Sequence, residues 1–249
     1  MEGTTKTFSF KTLLAQAPRG QPLATEWLAQ HGLSAKHAAR LVQDGWLRRI
    51  GHGVYGLLGD TLERDASLVH LGTAIPGLHV GAKTALSWRG IRHNLSARET
   101  ISLWGEKSAR LPAWFVEQFP AHYQATHLFD AKTPVDLGVA PLPAGRSDLL
   151  VSTPERAILE LLSEIGKRQT LEEAKHLVEG ARALRLNVLE ELLEHLTRIK
   201  VIRLAYVLAD DLDLPWQALA LKHSVRLGGG ERWVTLGRTG ERLTLRKSK

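Results

Sequence analysis

The chain has 249 residues, 43% of them hydrophobic and 24% charged, which is enough apolar material for packed cores and a length that suits two domains. It contains no cysteine, which excludes a disulfide framework, thiolate metal sites and thiol catalysis. The formal net charge is +7, which favours a polyanionic partner without naming one.

The charge is unevenly spread. Residues 1–60 carry 7 Lys and Arg against 4 Asp and Glu, and residues 214–249 carry 8 against 2. Residues 61–151 are nearly balanced, at 9 against 8, and residues 152–213 are acidic, at 9 against 12. Basic ends around a neutral to acidic middle fit contact with a nucleic acid. No apolar h-region opens the sequence, and no apolar run approaches the roughly 20 residues of a membrane span. A cytoplasmic protein with no membrane partner is expected.

Phe8, Leu13 and Leu14 predict a first short helix, stopped at Pro18-Arg19-Gly20. A second helix is predicted over Leu23 to Gln30, with Leu23, Trp27 and Leu28 inward and His31-Gly32 as its stop. Ser34 reads as the N-cap of a third helix, Ala35 to Gln43. Ala38, Leu41 and Val42 form its apolar side, and Lys36, His37 and Arg40 lie elsewhere on its surface. Two β-type runs, Trp46–Ile50 and Val54–Leu57, flank Gly51-His52-Gly53 and predict a hairpin. Helix, helix, turn, helix, hairpin is the order of a winged helix-turn-helix, with the hairpin as the wing. Trp27, Trp46 and Tyr55 are expected to pack its small core.

Downstream, helices are predicted over Thr61–Gly72 and Gly81–Gly90, and a strand over Thr100–Trp104. Further short strands are predicted at Trp114–Glu117, Tyr123–Leu128 and Val135–Pro141. Ser152-Thr153-Pro154-Glu155 announces a helix, with Pro and Glu at positions that suit an N-terminus. Ala157, Ile158, Leu161, Leu162 and Ile165 supply its buried stripe. Helices follow over Leu171–Ala183, Val188–Ile199 and Val201–Leu208. After Pro215 and Trp216 the chain reads as basic and β-like, closing in a hairpin of Arg232–Leu236 with Arg242–Leu245. The fold class is therefore mixed α/β, of the α+β kind: a winged helix-turn-helix over residues 1–60, then a larger α/β domain over residues 61–249.

In a winged helix the third helix shows side chains to base edges, while the wing and helix ends hold phosphates. The candidate DNA-binding residues are Ser34, Lys36, His37 and Arg40 on the helix and Arg48, Arg49 and His52 on the wing. Lys and Arg match guanine acceptors, Arg in bidentate fashion. A second candidate nucleic-acid surface is the basic tail, with Arg226, Arg232, Arg238, Arg242 and Arg246. The alternative for the tail is an edge protected by charge, and for the winged helix a protein-docking module with a solvated rim.

The run Gly45-Trp46-Leu47-Arg48-Arg49-Ile50-Gly51-His52-Gly53-Val54-Tyr55 resembles the wing of AbiEi-type antitoxins, which follows the pattern G-x-L-x-R-x-x-x-G-V-Y. Gly81-Ala82-Lys83-Thr84-Ala85-Leu86-Ser87-Trp88-Arg89-Gly90 resembles their small-residue helix. Ser152-Thr153-Pro154-Glu155-Arg156-Ala157-Ile158-Leu159-Glu160-Leu161-Leu162 is similar to a stretch of their second domain. The tail resembles them too, from Lys200-Val201-Ile202-Arg203-Leu204 to Leu227-Gly228-Gly229-Gly230-Glu231-Arg232. The resemblance implies a transcriptional autorepressor and antitoxin of a type IV toxin–antitoxin system. Its DNA partner would be inverted repeats in its own promoter. Its genetic partner would be a nucleotidyltransferase-like toxin, opposed without a stable complex.

Catalytic constellations are weak. Glu173-Ala174-Lys175, with Asp148 upstream, has the E-x-K form of a metal-dependent nuclease, but it falls in a strongly helical segment. The eleven histidines show no metal spacing, and His122 and His127 read as incidental. No serine has a nucleophile-elbow context. No enzymatic activity, cofactor or metal is expected.

Overall fold

Nine apolar side chains of the N-terminal region, Leu13, Ala17, Leu23, Leu28, Leu33, Ala38, Leu47, Tyr55 and Leu57, converge into one buried cluster. They do so in a computed structural model that describes residues 10–92, 99–226, 232–236 and 242–246. The chain forms two units, one of Met1–Ala74 with Arg110–Pro120 and one of Ile75–Ala109 with Ala121–Lys249.

The first unit runs α1 (Phe10–Gln16), β1 (Leu23–Ala24), α2 (Thr25–Gln30), α3 (Ala35–Gln43), β2 (Leu47–Gly51), β3 (Val54–Leu57) and α4 (Arg64–Ala74). Its sheet has the order β1-β3-β2, antiparallel throughout. This is the winged helix-turn-helix. One expectation fails at Leu23: the second helix starts at Thr25, because Leu23 and Ala24 pair instead with Tyr55 and Val54. Backbone pairing and burial of Leu23 on the sheet override the local helical pattern. The Thr25 hydroxyl and amide both donate to the Gly53 carbonyl, at 2.9 Å each. The wing's turn is thereby tied to the start of α2.

The second unit begins with β4 (His79–Val80), α5 (Ala82–Trp88) and β5 (Ile101–Trp104). The chain then supplies the first unit with α6 (Ala113–Gln118). A strand is expected at Trp114–Glu117, so α6 is a correction. Phe115 and Phe119 are four residues apart with ring centroids at 5.4 Å, a helical neighbour pair rather than a strand alternation. Phe115 is fully buried, and the Trp114 ring lies where a side chain on Gly51 would stand.

The second unit continues with β6 (Ala121–Gln124), β7 (Val139–Ala140), β8 (Val151–Ser152), α7 (Pro154–Glu164), α8 (Leu171–Glu179), α9 (Leu186–His195), α10 (Ile199–Asp211) and α11 (Gln217–Arg226). The strands at 123–128 and 135–141 are shorter than their apolar runs suggest, ending at Gln124 and reduced to Val139–Ala140. A helix, α11, stands where β-structure is expected: Leu214 and Trp216 bury, and Pro215 precedes the helix instead of breaking one. The tail closes as β9 (Arg232–Leu236) and β10 (Arg242–Arg246), an antiparallel pair in the register Arg242 with Leu236 and Arg246 with Arg232. The main sheet has the order β6-β5-β4-β8-β7 and mixes parallel and antiparallel neighbours.

Helix α7 is the central element of this unit. Its predicted stripe of Ala157, Ile158, Leu161, Leu162 and Ile165 is at most 3% exposed. Glu160 on the same helix is fully buried. It accepts hydrogen bonds from His79 Nε2, the Ala82 amide, Ser152 Oγ and Arg156 Nε, all at 2.9 Å. Burial alone pushes its carboxyl up, but the His79 and Arg156 charges and the Ala82 N–H outweigh it and hold Glu160 below the usual carboxylate range. His79 Nδ1 faces the Gly77 carbonyl at 2.8 Å. Each ring nitrogen therefore faces an oxygen, which fixes the ring's orientation beside Glu160.

At the other end of α7, Glu155 is 2% exposed and accepts from Arg185 through its amide (2.9 Å), Nε (3.1 Å) and Nη2 (2.9 Å). Burial raises its carboxyl, and the Arg185 hydrogen bonds reverse this and bring it down to about 2. A carboxylate depressed on folding stabilises the native state above its unfolded value of 4.5, and the contribution fades as pH falls from there toward about 2. Glu155→Gln is expected to lower stability at pH 7 by about 1.5–3 kcal/mol, the range for hydrogen bonds to charged groups. Urea melts at pH 7 and pH 3 check this. The difference between wild type and variant should shrink at the lower pH, and an equal difference at both contradicts the assignment.

Candidate nucleic-acid interface

The recognition-helix candidate α3 is built by its cap and its stop. Ser34 Oγ accepts the His37 amide at 3.3 Å, the N-cap bond expected from the sequence. The His37 ring turns back on the same hydroxyl, with Nδ1 at 3.2 Å from Oγ. Asp44 ends the helix, and Gly45 follows with φ +74 and no heavy atom within 4 Å of where a Cβ would stand. There the left-handed backbone alone calls for glycine. Ala38 is fully buried, Leu41 and Val42 are partly buried against the core, and Lys36, His37, Ala39, Arg40 and Gln43 are solvent-facing.

Lys36, Arg40 and Gln43 stand at i, i+4 and i+7, so they share one stripe of the helix. Gln43 was not among the candidates read from the sequence. Its signal was there: its spacing from Arg40 and Lys36 places it on the outward row. Arg40 Nε lies 3.6 Å from Asp44 Oδ2, in a pair whose side chains are 78% and 49% exposed. Such a pair is worth about 0–1 kcal/mol, which leaves Arg40 available to a stronger partner.

The wing carries Arg48, Arg49 and His52 on its outer surface. Arg48 and Arg49 are consecutive on β2 and so project to opposite faces of the hairpin. Their internal contacts are long: Arg48 Nη2 to the Asp60 carbonyl and Arg49 Nε to the Gly51 carbonyl, both at 3.4 Å. The register shifts between Arg49 and Gly51, a bulge next to the wing tip. Between Ala35 and Leu58 the cations Lys36, Arg40, Arg48 and Arg49 meet a single acid, Asp44.

Of the three aromatic residues expected in the core, Tyr55 is buried and Trp27 is partly buried against it. Trp46 is 50% exposed and is a correction. It lies in the bend between α3 and β2, just before Leu47, which is 2% exposed and takes the inward position. On the second candidate surface, Arg226 ends α11, and Arg232, Arg242 and Arg246 lie in the β9–β10 pair. Arg238 lies outside the described residues.

The E-x-K residues are engaged elsewhere. Glu173 sits in the first turn of α8, where its amide donates to Thr170 Oγ1 and its carboxylate pairs with Lys83 and Gln169 Nε2. Lys175 pairs with Asp211 and Asp148 with Arg146. Among the described residues no three His, Asp or Glu side chains gather as a metal site requires. No helix among them is long and apolar enough to cross a membrane.

Comparison with known proteins covers nearly the whole chain. Residues 6–97 match a family described as "Transcriptional regulator, AbiEi antitoxin N-terminal domain". Residues 98–245 match one described as "Transcriptional regulator, AbiEi antitoxin, Type IV TA system". No curated protein matches in sequence. The fold is similar to the crystal structure of the RV2827C protein from Mycobacterium tuberculosis, with a TM-score of 0.61 and 14% identity, covering 92% of this chain and 83% of that one.

Proposed function

The chain belongs to the AbiEi antitoxin family of transcriptional regulators of type IV toxin–antitoxin systems, and from that premise we propose that it represses its own operon by binding inverted repeats in the promoter DNA. The observation that carries this reading is the solvent-facing set of Lys36, Arg40, Arg48 and Arg49 on the helix and wing of one winged-helix unit. In this reading α3 enters the major groove. Arg40 reads a guanine, Lys36 a base or a phosphate, and Gln43 an adenine edge. Ser34 and His37 set the first turn of the helix at the groove, and Arg48, Arg49 and His52 hold the flanking phosphates. Arg226, Arg232, Arg238, Arg242 and Arg246 form a second, auxiliary nucleic-acid surface. The protein acts by binding, without catalysis.

The same reading divides the labour along the chain. Operator binding belongs to residues 1–60, and the antitoxin activity to residues 61–249. The activity opposed is that of a nucleotidyltransferase-like toxin encoded beside it, without a stable complex. The acidic balance of residues 152–213, 12 Asp and Glu against 9 Lys and Arg, makes that region a poor DNA surface and supports the division.

Two binding experiments test the interface. Arg40→Ala should weaken operator binding roughly ten- to a hundred-fold at fixed salt, as expected for removal of one bidentate base interaction worth ~1–3 kcal/mol. Binding to a scrambled duplex should fall much less. Equal weakening on both duplexes makes Arg40 a phosphate anchor and removes it from base reading. For the wing, Arg48→Ala with Arg49→Ala should weaken all sequences and reduce the slope of log K against log salt by about 0.9 for each phosphate no longer neutralised. An unchanged slope takes the wing off the DNA.

The division of labour is tested in the full-length chain. With Arg40, Arg48 and Arg49 all changed to Ala, a reporter under the native promoter should be derepressed. Cells expressing the toxin of the adjacent gene should remain protected. Loss of protection in a variant that melts like wild type contradicts the division.

A further inference from the structure

In the sheet order β1-β3-β2, strand β3 is paired on both sides and β2 on one. The strand that carries Arg48 and Arg49 is therefore the edge. Its register also slips between Arg49 and Gly51, where a bulge interrupts the ladder. A short edge strand with such an interruption needs packing from elsewhere to keep one position. The wing tip has two supports outside the hairpin. Thr25 of α2 holds the Gly53 carbonyl. The second support is the Trp114 ring of α6 against Gly51.

Gly51 has no positive φ, so its backbone does not call for glycine. The ring does: a Cβ there would stand 2.8 Å from Trp114 Cδ1 and 3.2 Å from Nε1. The indole is not free to yield. It meets Phe115 edge-on, with centroids 5.8 Å apart and 87° between the planes, and its centroid lies 6.0 Å from that of the His70 ring of α4. Phe115 is fully buried. Gln118 Nε2 donates to the Leu62 carbonyl at 3.0 Å. Helix α6 is thus anchored apart from the wing and presents a fixed aromatic face to the wing's edge strand.

We propose that Trp114 is a positioning residue for DNA binding: it fixes the end of β2 and so the direction in which Arg48, Arg49 and His52 meet phosphates. The groups that would touch DNA lie within residues 1–60. This one comes from residues 110–120, which the fold returns to the first unit. A wing set in place beforehand loses less freedom on binding than one that must be ordered by the duplex. The bearing on DNA rests on the operator-binding reading, whereas the support of the wing by α6 does not.

The test uses the full-length protein in three variants, Trp114→Ala, Gly51→Ala and the two together. Alanine at 51 disturbs the same contact from the wing side. Amide exchange over residues 47–57 should rise roughly tenfold in each single variant, with residues 25–43 unchanged. The combined variant should be no faster than Trp114→Ala alone, since both changes break one contact. In DNA titrations Trp114→Ala should weaken operator and scrambled duplex by the same factor, about five- to tenfold, and flatten the salt slope as Arg48→Ala with Arg49→Ala does. Added to those two changes, it should alter binding by less than about twofold. Unchanged exchange over 47–57 in Trp114→Ala overturns the support. Equally faster exchange over 25–43 makes Trp114 ordinary core packing and overturns it too. Faster wing exchange with unaltered DNA binding, where the arginine changes do weaken it, overturns the positioning role. If neither set of changes alters DNA binding, the wing is off the DNA and the positioning role falls with it, whereas the exchange result still decides whether α6 supports the wing.

Discussion

A carboxylate sealed away from water must find its hydrogen bonds inside the protein or lose its charge, and Glu160 finds four. Its donors come from β4 (His79), the first residue of α5 (Ala82), β8 (Ser152) and one turn earlier on α7 (Arg156). Two central strands and two helices are thus fastened at one point. Removing any donor leaves the charge short in a medium that cannot replace it, which is more destabilising than breaking an exposed bond. The backbone conforms to the same demand. A Cβ on Gly81 would stand 2.4 Å from Glu160 Oε2 and 2.5 Å from the Trp104 ring, so only glycine fits. Ala82, with φ +47, is held in a strained conformation while its amide reaches the carboxylate.

This constraint joins two stretches of the second unit that resemble AbiEi antitoxins. The stretch from Gly81 to Gly90 supplies the amide, the missing side chain and Arg89. The stretch from Ser152 to Leu162 supplies the hydroxyl, the guanidinium and the carboxylate. Arg89 adds a second fastening, donating to the Ser152, Val151 and Ala140 carbonyls and so spanning β7 and β8. As a sequence, Glu160 reads as one more polar residue on an amphipathic helix. Its meaning depends on partners up to 81 positions away, which periodicity does not reveal.

The fold was most legible where local chemistry settles the outcome. Ser34 caps α3 and Gly45 releases it, so that helix appears with its expected ends. The wing follows from two β-type runs around a glycine turn. Legibility failed where tertiary pairing overrode local preference. Leu23 joined a strand because Tyr55 was there to pair with it. Trp114–Glu117 formed a helix whose i, i+4 aromatic pair, Phe115 and Phe119, was hidden by its apolar density. The segment after Pro215 read as β-like because its basic, alternating end at 232–246 colours the whole; α11 is visible only once Trp216 and Ala220 are known to bury. On the candidate interface, the charged residues were legible because an exposed cation needs no partner to be recognised. Gln43 was not, since an amide announces itself only by sharing a helix row with Lys36 and Arg40.

The contrast between the two units' charges carries the functional argument. In the second unit the buried ions are locked: Glu155 and Glu160 are each held by several bonds and cannot be recruited without unfolding their surroundings. On the winged helix the opposite holds. Arg40 has one exposed partner, and Arg48 and Arg49 have only long contacts to carbonyls. Breaking such contacts costs little, and guanidinium groups are more weakly hydrated than ammonium groups. These arginines can therefore be delivered to a phosphate or a base edge with little opposing free energy, while the α3 backbone that aims Arg40 stays fixed by its cap and by Ala38 in the core. A rigid helix with loosely held cations is the arrangement that duplex DNA selects, because affinity comes from the charges and register from the scaffold.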